Sequence, residues 1–184
     1  PKLAAEHPDQ IAMRCPSGGG RYDITLTYAQ LDARSDAIAA GLARRGIRRG
    51  VRTVVMVRPT PEFFLLMFAL FKAGAVPVLV DPGIDKRALK QCLREAQPQA
   101  FIGIPLAHLA RVLLGWARSA RIRITTGAFA LLADTTLARV ERDGAVIHAN
   151  TVGSSQLVDT EPDEVAAIEQ RLGWLVKDAA PGDL

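Results

Sequence analysis

The spacing of apolar positions along the chain changes period repeatedly, and those changes predict alternating strands and helices. Met13 to Cys15 and Ile24 to Leu26 are short β-prone runs separated by a loop carrying Ser17, Gly18, Gly19 and Gly20, the pattern of a hairpin. Thr27 is a good N-cap, and Tyr28, Leu31, Ile38 and Leu42 mark one face of a helix from about Tyr28 to Arg45, closed by Gly46. Thr53 to Val57 then reads as a strand, Pro61 to Lys72 as a strongly apolar helix ending at Gly74, and Ala75 to Val80 as a second strand. Asp85 to Glu95 predicts an amphipathic helix, Ala100 to Ile104 a strand, Leu106 to Leu114 a helix and Arg121 to Thr125 a strand. Strands apolar on both faces suit the centre of a parallel sheet covered by helices. The expected fold is therefore α/β, a largely parallel sheet flanked by helices, with a short amino-terminal β-hairpin.

Composition is compatible with that fold, because 184 residues that are 49% hydrophobic suffice for one domain with a buried core. The longest apolar run, Phe63 to Phe71, is far shorter than the roughly 20 residues that span a bilayer, and core packing is its simplest use. That run's shortness predicts no transmembrane segment, and Cys15 and Cys92 show neither disulfide nor zinc spacing, so a reducing, cytoplasmic setting is expected.

Charge changes the picture more. From Pro1 to Arg123 there are 19 Lys or Arg against 9 Asp or Glu, and from Ile124 to Leu184 there are 4 against 10. The overall net charge of +4 therefore conceals a basic leading part and an acidic trailing one. Arg44, Arg45, Arg48 and Arg49 surround Gly46 at the end of a predicted helix, where cations meet the negative helix terminus. No aromatic platform accompanies them, so nucleic acid is not an expected partner. His7, His108 and His148 are isolated, and no serine sits in a G-x-S-x-G elbow, so no metal site or hydrolase nucleophile is expected. Asp81, at a predicted strand end, is the most plausible functional carboxylate, although Asp81-Pro82 also reads as a turn.

Three segments resemble one family. Leu26-Thr27-Tyr28-Ala29-Gln30-Leu31 is similar to the "LTYxEL" opening of acyl-CoA synthetases and peptide-synthetase adenylation domains, with Gln30 in place of the usual Glu. Arg58-Pro59-Thr60-Pro61-Glu62-Phe63 resembles the "PNSPEF" turn, and the stretch from Leu70 to Pro82 resembles "LKAGAVYVPLDP". His7-Pro8-Asp9-Gln10-Ile11-Ala12 resembles the amino-terminal "PDxxA" entry of the same adenylate-forming superfamily. Arg52 to Arg58, Val80 to Arg87, Gln97-Pro98 and Phe101 to Pro105 are most similar to olefin-biosynthesis β-lactone synthetases of the OleC type.

The resemblance implies an AMP-binding, ATP-dependent ligase that activates a β-hydroxy acid and closes it to a β-lactone, releasing AMP and pyrophosphate. It further implies ATP and Mg as cofactors of the full-length enzyme, a fatty-acyl or hydroxy-acyl substrate, and olefin-pathway enzymes or self-association as partners. It extends to about Ile168, where Asp163 to Ile168 resembles the lead-in to the family's phosphate loop. Glu169 to Lys177 follows in place of a Ser/Thr/Gly-rich loop ending in Pro-Lys-Gly, and Gly153-Ser154-Ser155 reads as a polar linker. Residues 1–168 are thus expected to form a partial amino-terminal domain and residues 169–184 a divergent, disordered tail. No catalytic, cofactor-binding or metal-binding residue is expected on this chain, which alone is expected to be inactive. A non-catalytic interaction module and a small stand-alone nucleotide-binding protein are the alternatives.

Overall fold

A computed structural model describes residues 2–16, 21–80 and 85–155. The elements in order are α1 (Lys2–Glu6), β1 (Ile11–Cys15), β2 (Ile24–Thr27), α2 (Tyr28–Arg44), β3 (Arg52–Met56), α3 (Pro61–Lys72), β4 (Val76–Leu79), α4 (Lys86–Ala96), β5 (Ala100–Gly103), α5 (Pro105–Leu114), β6 (Ile122–Thr125), β7 (Thr135–Thr136) and α6 (Leu137–Ser155). β1 and β2 form the expected antiparallel hairpin. The other strands form a wholly parallel sheet in the order β4-β3-β5-β6-β7. The glycine loop of the hairpin and Asp81-Pro82 lie outside the described residues.

The period-2 alternation of the central strands sorts their side chains onto two cores. Val55, Ala100, Ile102 and Ile124 face Ile38 and Leu42 of α2, Leu65, Leu66 and Leu70 of α3, and Leu137 and Val140 of α6. Val54 and Phe101 face the other way, against Leu89 and Leu93 of α4 and the buried Trp116. Burial on both sides explains why these strands read as continuous apolar runs.

Local chemistry sets the element ends. Thr27 caps α2 through a reciprocal capping box: the Gln30 amide donates to Thr27 Oγ1 at 3.3 Å, and Thr27 N donates to Gln30 Oε1 at 3.1 Å. Asp85 caps α4 by accepting from the amides of Arg87 and Ala88. Gly74, at φ +67, ends the α3 crossover while its carbonyl accepts from Gly50 N at 2.8 Å.

Three expectations change. The apolar helix α3 buries Leu65, Leu66, Ala69 and Leu70, but Phe64, Phe68 and Phe71 are exposed, so only one of its faces serves the core. Gly153-Ser154-Ser155 is the last part of α6 rather than a linker, because the helical amide ladder begun at Leu137 continues through residues of weak intrinsic propensity. β7 and α6 themselves had not been expected. β7 is two residues long, too short for a periodic signal, and the polar face of α6 obscures its few buried positions. Among the described residues, no helix is long and apolar enough to cross a membrane.

Candidate functional site

In a parallel α/β sheet the carboxyl ends of the strands are the usual place for ligands, because the helices that follow them direct free amides there. Here β3 leads through Arg58, Pro59 and Thr60 into α3, and β5 leads through Ile104 into α5. Both helices start with proline in the first turn and have no side-chain cap; Phe63 N donates to the Thr60 carbonyl at 3.0 Å and Ala107 N to the Ile104 carbonyl at 2.9 Å, which tightens each first turn. Thr60 N donates to the Arg58 carbonyl at 2.7 Å, forming the tight turn that aims α3. β6 ends at Thr125, whose hydroxyl accepts from Gly127 N at 3.1 Å and shapes the loop beyond it.

At this edge lies a cleft of about 140 Å³, lined by Arg34, Ile38, Glu62, Leu65, Thr126 and Glu141 among others. Arg34 reaches Glu141 through two hydrogen bonds, of 2.6 and 3.1 Å, across 107 residues of sequence. The Arg34 guanidinium stands above its ordinary value because Glu141 hydrogen-bonds it, against a smaller opposing effect of burial, and Glu62 adds to the upward shift. This ion pair joins α2 to α6 and forms one wall of the cleft. No sequence signal pairs two residues so far apart, and neither had been singled out.

The cleft does not suit ATP. Its volume is below the roughly 300 Å³ where small-molecule sites begin. Its charged side chains are one arginine and two glutamates, the wrong balance for a triphosphate. Among the described residues, no group of three or more His, Cys, Asp or Glu could hold a metal ion. Among the described residues, this cleft by itself does not form a nucleotide site.

The family-like segments occupy scaffold positions at both edges of the sheet. Thr27 and Gln30 start α2, Thr60 and Pro61 start α3, and Gly74 turns the chain into β4. Gln97 adopts the left-handed conformation after α4, at φ 46, and its carbonyl accepts from Arg52 Nη2 at 3.2 Å, which ties the start of β3 to the turn before β5. Of the isolated histidines, His108 is wholly buried, with Nε2 donating to the Ile124 carbonyl at 3.0 Å and its ring edge-on to Phe101. It is a core group and not a ligand set.

The AMP-binding enzyme family profile matches residues 2–171. The chain belongs to the AMP-binding enzyme family. An olefin beta-lactone synthetase of Xanthomonas campestris pv. campestris is 70% identical over 173 residues, which is 91% of this chain and 30% of that protein. The olefin beta-lactone synthetase of Stenotrophomonas maltophilia is 64% identical over 174 residues, with the same two coverages. The chain thus spans about 30% of the length of these curated relatives. Among solved structures, apo MbtA of Mycobacterium smegmatis matches with a TM-score of 0.62 at 32% identity, over 77% of this chain and 25% of that one. A putative long-chain-fatty-acid CoA ligase of Rhodopseudomonas palustris matches with a TM-score of 0.64 over 76% of this chain and 34% of that one; at 20% identity it shows the fold alone.

Proposed function

We propose that this chain forms the amino-terminal scaffold of an olefin β-lactone synthetase. In that enzyme a β-hydroxy acid is activated with ATP and closed to a β-lactone, and AMP and pyrophosphate leave. The observation that carries this reading is the 70% identity over 173 residues. Similarity to an aryl-acid AMP ligase falls to 33% over 123 residues, so the match favours lactone closure over other uses of an acyl adenylate. On this reading residues 1–168 are the shared domain part and residues 169–184 a departing tail. The site's remaining walls, the groups that hold ATP and Mg, and the catalytic lysine belong to the rest of the enzyme. The capping box at the start of α2, the Thr60 turn that aims α3 and the Arg34–Glu141 pair position the part of the site that this chain supplies.

The test is a graft of residues 2–171 into the Xanthomonas synthetase in place of its matching segment. We expect the graft to form β-lactone from a β-hydroxy acid with ATP, at a rate within about tenfold of the parent, since transition-state contacts from the rest of the enzyme are kept. A graft that unfolds like the parent and releases pyrophosphate without forming lactone would show that this segment belongs to another acyl-activating ligase. A well-folded graft that does neither would reject the scaffold assignment. The 184-residue chain alone is expected to release no pyrophosphate from ATP and the acid.

A further inference from the structure

The opposite edge of the sheet, where the strands begin, carries an unusual concentration of arginine. β7 pairs only with Ile124 and Thr125, so the first half of β6, paired with β5 on one side, has no strand on the other. In that gap lies a cleft of about 400 Å³ lined by Arg45, Arg121, Arg123, Asp134, Thr135 and Arg139, together with one isoleucine. Four guanidinium groups thus meet one carboxylate.

The carboxylate is already committed. Asp134 accepts from Arg123 Nη2 at 2.6 Å and from the Arg123 amide at 2.8 Å. Arg45 donates to Asp143 at 2.9 Å. The side chains of Arg121 and Arg139 are exposed and make no hydrogen bond or salt bridge among the described residues. An independent observation points to the same place: Thr135 is only 7% exposed, and its buried hydroxyl has no hydrogen-bond partner. A buried hydroxyl without a partner is costly unless something in the site completes it.

We propose that this cleft binds a compact phosphate-bearing anion, of the diphosphate or phosphomonoester class, through Arg121 and Arg139, with Thr135 at its inner end. Guanidinium forks match phosphate oxygens with paired hydrogen bonds, and an excess of positive charge in a concave site favours a multiply charged anion. The lining holds no aromatic ring to stack a base, and Ile122 is its one apolar side chain, so nucleic acid and lipid are poor fits. The site lies at the strands' amino ends, away from the cleft at their carboxyl ends, and does not rest on the proposed activity.

Calorimetric titration of inorganic pyrophosphate into the 184-residue chain at constant ionic strength tests this. The expected result is saturable single-site binding, weakened about tenfold or more in R121A/R139A and several-fold in Thr135→Val. The control R48A/R49A removes the same charge from arginines that do not line the cleft, and should bind as the unaltered chain does. Absence of saturable heat, unchanged binding in R121A/R139A, or an equal loss in R48A/R49A would overturn the proposal, the last by showing diffuse attraction to a basic surface.

Discussion

Gly144 on α6 packs against α2 so closely that a single methyl group should separate the two helices. A Cβ added there would lie 1.8 Å from the Ala37 carbonyl oxygen and 2.7 Å from the Gly41 amide nitrogen. A Cβ on Gly41 would meet the Val140 carbonyl oxygen at 2.1 Å, so the two glycines are the facing halves of one backbone-to-backbone contact. Ordinary contact begins near 3.4 Å, so Gly144→Ala must move one helix by roughly half a helix radius or more. No rotamer change can relieve this, because the blocking atoms are backbone. The flanking pairs Arg34–Glu141 and Arg45–Asp143 would be stretched by the same movement.

Two effects of opposite sign compete. In an exposed helix, glycine to alanine stabilises by about 1 kcal/mol through helix propensity. Overpacking costs about 1 to 3 kcal/mol, and contact with backbone on both sides places Gly144 at the upper end. The expected net loss is about 2 kcal/mol, which for a chain of this size lowers Tm by about 4 to 8 °C. Thermal unfolding followed by circular dichroism, with Ala145→Gly on the exposed side of the same helix as a comparison, measures it. If Gly144→Ala is as stable as the parent or more so, helix propensity has won and the close crossing of α2 and α6 is wrong.

Lys72 bridges Asp32 at 2.6 Å and Asp36 at 2.7 Å, tying the end of α3 to α2. Burial raises the Asp32 pKa, but the hydrogen bonds and charges of neighbouring cations, Lys72 first among them, together outweigh it and bring the carboxyl below its ordinary 3.8. The stabilisation is therefore present above 3.8 and disappears as the pH falls through the lower folded value. Lys72→Met should cost about 1 kcal/mol in urea unfolding at neutral pH and progressively less in acid; a pH-independent cost would assign the loss to packing. His108 is shifted the other way for a base: burial lowers its pKa, the Ile124 carbonyl opposes this, Arg111 and Arg123 lower it further, and Asp134 raises it. Below 6.5 the unfolded state takes up a proton that the folded state resists, so stability falls as the pH drops through 6.5 towards the folded value. His108→Gln should flatten that part of the stability profile, and an unchanged slope would place its origin elsewhere.

The hairpin, the parallel βαβ core and most element boundaries are legible in the sequence, because these are local matters of period, cap and turn. Pro61–Lys72 was legible residue for residue, and Thr27, Gly46, Gly74 and Asp85 each mark an end through their own backbone chemistry. The family, too, was legible, since its motifs are contiguous segments. Tertiary structure alone decided the rest. Arg34 meets Glu141, and Arg45 meets Asp143, only because α6 returns to pack on α2, and no local pattern announces a two-residue β7 or a helix whose key contact is a missing side chain. The arginines after α2 show the division within one segment. Arg48 closes the helix by donating to the Ala43 carbonyl, as its position predicts, whereas Arg45 joins Arg121 and Arg139 in a cleft assembled from three distant stretches of chain. Charge at a helix end is a one-dimensional property; charge in a cleft depends on which elements the sheet order places side by side.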